Sequence, residues 1–269
     1  MGALAHHLRH YGLFVSMGFK SRAEYNADFL VLVAGVTVLN AVDLALLGVL
    51  LTTFEALGGW SVWEVAFLYS MYLAALGVEN TLMLHLTDID QHIQDGTLDQ
   101  MLVRPASPLV QMLGKDISHK DVAHIILGSA GLVISVHHLD VTFGVGEWLA
   151  VAGFVLCGAA VLAGVVLGLA SLAFWTTRSR AFLYGTGEIQ EVVQHYPAHV
   201  FGPWFLALVT FVLPFAAINF YPAAALLSKG DAGLLGLAAV IPPAAAVATV
   251  VAGSAVWRRG ITAYQSTGS

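Results

Sequence analysis

The stretch Trp148-Leu-Ala-Val-Ala-Gly-Phe-Val-Leu-Cys-Gly-Ala-Ala-Val-Leu-Ala-Gly-Val-Val-Leu-Gly-Leu-Ala-Ser-Leu-Ala-Phe-Trp175 carries no charged side chain. A helix of about 20 such residues crosses the hydrocarbon core of a bilayer. The indoles at its two ends suit the headgroup level. The chain around it is of the same kind. Of its 269 residues 58% are hydrophobic and 10% charged, with a mean hydropathy of +0.80. Soluble domains are about 45–50% apolar and about 25% charged. This composition excludes a soluble enzyme, a disordered chain and a nucleic-acid binder, and it leaves an integral membrane protein.

Working outward, hydropathy predicts six spans: Phe29–Leu51, Trp60–Leu84, Val122–Val136, Trp148–Trp175, Val200–Ile218 and Ala232–Trp257. The fold class expected is all-α, with six transmembrane helices. Basic residues orient it. Arg9, Lys20 and Arg22 precede the first span, Arg104, Lys115 and Lys120 follow the second, Arg178 and Arg180 follow the fourth, and Arg258 and Arg259 follow the last. With the N-terminus inside, ten of the 11 basic residues fall on the cytoplasmic side, and only Lys229 falls outside. That asymmetry predicts a multi-pass protein of the cell membrane with both termini cytoplasmic. The loops Leu86–Ile117 and Thr176–His199 are then cytoplasmic, and Thr52–Gly59 and His137–Glu147 face outward.

Residues 1–28 read as a cytoplasmic amphipathic elbow helix, with Leu4, Leu8, Tyr11, Val15 and Phe19 at helical spacing. This segment lacks the continuous apolar core of a signal peptide. Residues 29–269 read as the six-helix transmembrane domain. Within it, 86–115 is a patterned cytoplasmic loop and 214–230 an outer segment. In that loop Ile89 and Ile93 share a helical face, Gly96 suits a helix end, and Leu98, Met101 and Leu102 form a second short face. Its carboxylates lack a second ligand cluster, so no metal site is expected. Pro197, Pro203, Pro214 and Pro222 interrupt the fifth span, since proline removes a backbone donor and clashes with the preceding turn. Broken backbone at membrane depth survives only where protein or a cavity satisfies it. The segment with Pro214, Asn219, Tyr221 and Pro222 is therefore expected to dip back into the outer leaflet between the last two spans.

Intramembrane polar groups are few. Asp43 and Glu79, with Asn40 and Asn80 beside them, are candidates for a substrate path, because such groups face a cavity or a partner. Asp43 lies roughly 21 Å in from the inner side at 1.5 Å per residue, and Glu79 lies nearer that surface, so the two are not expected to pair. Gly164 and Gly168 form a G-x-x-x-G whose role, internal contact or dimer seam, stays open. Cys157, the single cysteine, reads as a small core hydrophobe. The chain has no G-x-x-x-x-G-K-[ST], no H-E-x-x-H and no G-x-S-x-G. It is not expected to be an enzyme or to carry a cofactor, and any pumping draws its energy from a partner or an ion.

The run Ile93-Gln-Asp-Gly96-Thr-Leu98-Asp99-Gln-Met-Leu102-Val-Arg104-Pro105, preceded by Gly59-Trp60 and Glu64, resembles a family of ABC transporter type-2 permeases with an "I-x-x-G-x-L-D-x-x-L-x-R-P" loop. Phe174-Trp175, Tyr196-Pro197, Pro214, Tyr221-Pro222-Ala223 and the tail Trp257…Tyr264-Gln-Ser-Thr-Gly268 extend the likeness over nearly the whole chain. The resemblance implies an elbow helix, a re-entrant outer segment and a permease dimer, identical or heteromeric, with separate cytoplasmic ATPases carrying the ATP and Mg. It implies that the loop is the coupling helix, with Ile93, Gly96, Leu98, Asp99, Leu102, Arg104 and Pro105 its motif residues. Export of a lipophilic or amphiphilic compound by alternating access follows. The competing expectation is an ion-coupled secondary transporter that uses Asp43 and Glu79.

Overall fold

The computed structural model describes residues 26–53, 58–113, 119–139, 141–176, 179–229 and 232–264. The elbow expected at 1–28 lies almost wholly outside them, as does the tail beyond Tyr264. The described residues are helical, with no strand among them. Twelve α-helices run in order: α1 Asn26–Thr53, α2 Val62–Met83, α3 Ile89–Gln94, α4 Thr97–Leu102, α5 Pro108–Leu113, α6 His119–His138, α7 Val145–Ala170, α8 Ser179–His195, α9 Pro203–Ala207, α10 Phe220–Leu226, α11 Ala232–Ala238 and α12 Ile241–Ala263. Four stretches are long and apolar enough to cross a membrane: Val62–Met83, Asp121–His138, Val145–Phe174 and Ile241–Ala263. The pair Pro203–Val212 and Phe215–Leu226 counts as a fifth only if its 83° bend is treated as one broken span.

Helix α2 is the core. Every side chain from Phe67 to Ala75 is buried, which is two and a half turns with no free face. A helix surrounded on all sides is apolar all round rather than amphipathic. It packs most extensively on α6 and then on α7, and α7 packs on α12. Small residues set these approaches. A Cβ on Gly128 of α6 would lie 2.8 Å from the Ala74 Cα, and one on Gly77 would lie 2.6 Å from the Ile125 nitrogen. Gly164 of α7 faces the Thr249–Val250 backbone of α12, and Gly253 of α12 faces Gly164 and Gly168. The G-x-x-x-G is thus an internal seam between α7 and α12.

The Val62 end of α2 is closed by a capping box. The Ser61 N–H donates to Glu64 Oε2 at 2.8 Å, and the Glu64 N–H donates to Ser61 Oγ at 3.4 Å. Lys229 pairs with the same Glu64 at 2.8 Å and donates to the Gly59 carbonyl at 3.3 Å. His199 Nε2 lies 3.0 Å from the Gly58 carbonyl oxygen. Residues 200–229 therefore leave from and return to the same end of α2.

Three expectations change here. The last span runs Ile241–Ala263 rather than Ala232–Trp257, because Pro242 and Pro243 start a new helix after the short α11. The run Val200–Ile218 is not a single helix. It holds α9, one wide turn at Leu208–Val212, a break at Leu213-Pro214 and a tight turn at Phe215–Ala217. The segment Thr176–His199, expected as a loop on one side, is instead the helix α8 and its exit. Arg180 at its start binds Asp88 and Asp90, just past the Met83 end of α2, while His199 reaches the Val62 end. Seventeen residues at 1.5 Å each give α8 a length of about 25 Å. Hydropathy overlooks it because one of its faces is polar.

The glycine seams generate a stability prediction. Gly128→Leu drives a side chain into the α2 backbone, and overpacking of this kind costs about 1–3 kcal/mol. Gly146→Leu, where nothing lies within 4 Å, is the matched control. The expected outcome is a melting temperature lowered by several degrees and a smaller monodisperse peak for Gly128→Leu alone, read by differential scanning fluorimetry and size exclusion.

Candidate functional site

The loop past the Met83 end of α2 starts with a 3-10 turn, Leu84–Asp88, and continues into α3. Gly96 then adopts φ 66°, a left-handed conformation that a Cβ disfavours, and so reverses the chain into α4. The Thr97 hydroxyl donates to the His92 carbonyl at 3.2 Å, which closes the turn. The Gln111 amide donates to the carbonyls of Met101 at 2.8 Å and Ala106 at 2.7 Å, folding α5 back on α4. The result is a three-helix knuckle held by backbone hydrogen bonds and a small apolar core.

That core explains half of the motif residues. Leu86, Ile89, Leu98 and Met112 are fully buried against Leu167, Ala170 and Ala173 at the end of α7 and against Trp257 of α12, with Ile93 packed at the edge. Phe174 is the pivot between the helices of this cluster. Its ring meets Trp257 at 5.3 Å, Trp175 at 6.3 Å and Tyr264 at 6.1 Å. Gly260 leaves room for it, because a Cβ there would strike the Phe174 ring. The Tyr264 phenol is pushed above its ordinary value by burial first and then by the neighbouring Asp99 carboxylate. Asp99 of the motif thus meets the end of α12.

The other half of the motif faces away. Leu102, Val103, Arg104 and Pro105 are all exposed, with Val103 at 86%. Two adjacent aliphatic side chains and a guanidinium stand on a tip whose opposite face is locked into α7 and α12. An aliphatic and cationic tip of this kind, on a stiff base, is suited to a protein surface.

One residue was missed by the sequence reading. Arg180 of α8 donates from Nη2 to Asp88 at 2.6 Å, and its Nε lies 3.3 Å from Asp90, which is buried. The bridge joins the start of the knuckle to the start of α8. The only sequence signal was the pairing of Asp88-Ile-Asp90 with Arg178-Ser-Arg180 some 90 residues later, which spacing alone does not connect.

The polar candidates separate into three places. Asp43 of α1 lines a cavity of about 570 Å³ with Glu188, Glu191 and His195 of α8 and with Tyr196 just after it. Asn40 accepts a hydrogen bond from the buried Tyr69 hydroxyl at 2.7 Å. Glu79 lines a second cavity, and Asn80 donates to Asp121 at 3.3 Å across α2 and α6. Asp43 and Glu79 do not share a cavity. Pro214, Asn219, Tyr221 and Pro222 are buried together, with the Asn219 amide donating to the Val193 carbonyl of α8 at 2.8 Å. Among the described residues no group of three or more His, Cys, Asp and Glu is placed to hold a metal ion.

Arg180→Ala removes both ion pairs and leaves Asp90 with the Gln91 N–H as its donor; because Arg180 and Asp88 are partly exposed, the loss is of the order of a surface pair, about 1 kcal/mol. The expected outcome is faster limited proteolysis between Leu84 and Arg104. Adding Asp90→Asn to Arg180→Ala removes the orphaned charge and restores part of the resistance. Equal digestion of wild type and Arg180→Ala contradicts the bridge.

No curated protein and no solved structure matches the chain at a significant level. A family model does. The model described as "ABC-2 family transporter protein" matches residues 37–268, which include the knuckle, both seams and the buried segment around Pro214. The chain is a multi-pass membrane protein of the ABC-2 transporter family.

Proposed function

We propose that this chain is the membrane-spanning permease subunit of an ATP-driven exporter, coupled to separate ATPase subunits through the knuckle 86–115. The observation that carries the reading is the split of the motif. Ile93 and Leu98 are built into the base, while Leu102, Val103, Arg104 and Pro105 are offered outward. Leu102 and Val103 stand side by side next to Arg104 on that outward face, an aliphatic contact with a cation at its rim. A tip fixed to α7 and α12 passes a displacement of its outer face to the bundle, because packed interiors transmit strain. The chain itself lacks a phosphate-binding G-x-x-x-x-G-K-[ST] loop, so ATP and Mg belong to the partner.

In this reading the Met83 end of α2 is cytoplasmic. Arg104, Arg180, Arg258 and Arg259 all belong to that end, and Lys229 belongs to the other, paired with Glu64. Six crossings result when α8 is counted as the fifth, with α1, α2, α6, α7 and α12. The segment 200–229 is then re-entrant from the outer side. Its tip reaches the middle of α7, since the Ile218 Cα lies 3.4 Å from where a Cβ on Gly158 would be. Gly158 is about 20 Å along α7 from Val145 at 1.5 Å per residue. Two copies, or this chain and a homologue, enclose a path along the polar face of α8 and Asp43. ATP binding at the partner changes the balance between inward-open and outward-open states through differential affinity. A lone ion-coupled carrier is less well supported, because its two carboxylates line separate cavities.

The test of the partnership is purification in mild detergent from the native source. The expected result is a P-loop ATPase at one copy per permease. A chain that purifies alone and still transports in vesicles overturns the reading. The knuckle is tested in the assembled complex. Gly96→Val forces a β-branched residue into left-handed space, at about 1–3 kcal/mol of strain, and Arg104→Ala removes the outward charge. Both are expected to insert normally and to lower substrate-stimulated ATP hydrolysis and transport several-fold. Unchanged hydrolysis and transport in both variants contradict the coupling role.

A further inference from the structure

The second cavity lies between α2, α7 and α8 and has a volume of about 390 Å³. That is within the range of small-molecule sites, about 300–1,000 Å³. One wall is aliphatic, with Leu76, Leu162, Val165, Val166 and Leu169. The polar end holds Glu79, Asn80 and Gln190, and the rim toward the Met83 end of α2 carries Asp88 and Arg180.

Glu79 is the anomaly. It is only 4% exposed, and it takes part in no hydrogen bond or ion pair among the described residues. A carboxylate withdrawn from water needs a proton or a positive partner. Tyr72, seven residues earlier on the same face of α2, has a buried hydroxyl without a hydrogen-bond partner, within electrostatic range of Glu79. Tyr72 does not line the cavity; the carboxylate that does, buried and with no cation paired to it among the described residues, points to an absent occupant.

The sign of that occupant follows from the surroundings. Asp121 adds a second carboxylate within electrostatic range of Glu79. The nearest guanidinium, Arg180, is already engaged by Asp88 and Asp90. An anion is therefore repelled and a neutral lipophile leaves Glu79 as it was. An organic ammonium satisfies the carboxylate and has further N–H donors for the amide oxygens of Asn80 and Gln190. The aliphatic wall beside it takes a hydrocarbon chain.

We propose that this cavity is a binding site for an amphiphile bearing one protonated amine, with the ammonium on Glu79 and the hydrocarbon along Leu162, Val165 and Leu169. The inference rests on the permease reading above and gives its cargo a chemical class.

Binding is measured on the intact, purified chain in detergent by fluorescence titration with two probes. Mono-dansylated 1,12-diaminododecane ends in an ammonium, and dansylated 12-aminododecan-1-ol ends in a hydroxyl on the same chain. The amine is expected to bind about 10–100-fold more tightly, the range of a charge-assisted hydrogen bond in place of a neutral one. Glu79→Gln is expected to erase that advantage and spare alcohol binding. Val165→Trp fills the cavity and weakens both probes, and Glu147→Gln, at the Gly144 cap of α7 and outside the cavity lining, leaves both unchanged. Equal binding of amine and alcohol by the wild type overturns the proposal. So does an amine preference that survives Glu79→Gln, or one lost in Glu147→Gln instead. If Glu79→Gln does not give folded protein, a diazirine-bearing dodecylamine on the wild type decides. Cross-links on α2, α7 and α8 that unlabelled dodecylamine suppresses support the site, and their absence or placement elsewhere overturns it. No ATPase is needed for either measurement, so failure here leaves the ATPase partnership standing, and failure of an ATPase to co-purify leaves this site standing.

Discussion

Helix α2 has no side to spare, and the arrangement of the other helices is set by how each reaches it. Nine consecutive buried side chains, Phe67 to Ala75, demand neighbours on every face. Helix–helix attraction in lipid comes mainly from close packing, so the neighbours must approach closely. Gly77 on α2 and Gly128 and Gly131 on α6 allow this on one side, and Gly158 of α7 receives both Ala75 and Ile218 on another. The ends of α2 then become the points where everything else is tied. Glu64 and the Gly58 and Gly59 carbonyls hold Lys229 and His199 at one end. Asp88 and Asp90, just beyond the other end, hold Arg180. A single helix thus fixes where the segment 200–229 begins and ends and where α8 starts.

Much of this was legible from hydropathy because burial in lipid and burial in protein use the same residues. The runs around Val62–Met83 and Val145–Phe174 are found by composition alone. The prolines placed breaks correctly. Pro203 opens α9, Pro242 lies in the first turn of α12, and the chain bends by 83° on either side of Leu213-Pro214. What composition does not report is which polar residues face inward. Helix α8 carries Glu188, Gln190, Glu191, Gln194 and His195 on a short stretch, and a window average reads that as a loop. Its position becomes clear only when Arg180 and His199 are seen at opposite ends of α2, contacts separated by more than 90 residues in sequence. The motif loop was legible as a helix–glycine–helix unit. Its division into an inward and an outward half was not, because Leu98 and Leu102 have the same chemistry and share a helical face, and differ only in that Leu102 ends α4 beyond the reach of the base.

The knuckle and α8 are mechanically one piece. Asp88 precedes α3 by one residue, and Arg180 is the second residue of α8. Their ion pairs, together with the Leu86–Ile89–Leu98 core against α7, leave no soft element between the exposed tip at Val103 and the foot of α8. At the far end of α8 the Asn219 amide hangs the buried segment on the Val193 carbonyl. A push on the tip therefore has a continuous route of packed and hydrogen-bonded contacts to the buried segment around Asn219. That is a physical chain of neighbours, and whether it carries energy depends on the chain having two arrangements that the two ends favour differently.

Helix α8 separates two polar cavities, and this bears on how such an arrangement is bistable. Asp43, Glu188 and Glu191 line one side, and Glu79 with Gln190 lines the other. Seventeen residues with polar groups toward both sides are a poor partner for lipid and a good one for water or cargo. A helix held by ion pairs at its foot and by one buried amide near its head, with Ile189 and Val193 its contacts to the apolar core, has few packing interactions to lose on tilting. Filling the Glu79 cavity adds apolar contact between α7 and α8 and stiffens the side next to α2, so an occupant there biases the position of α8 without touching the knuckle. The reciprocity of linkage then requires that any partner which moves α8 from the knuckle side also changes the affinity of that cavity by the same factor. Glu79 and Arg180, both lining that cavity, are the residues through which the two influences meet.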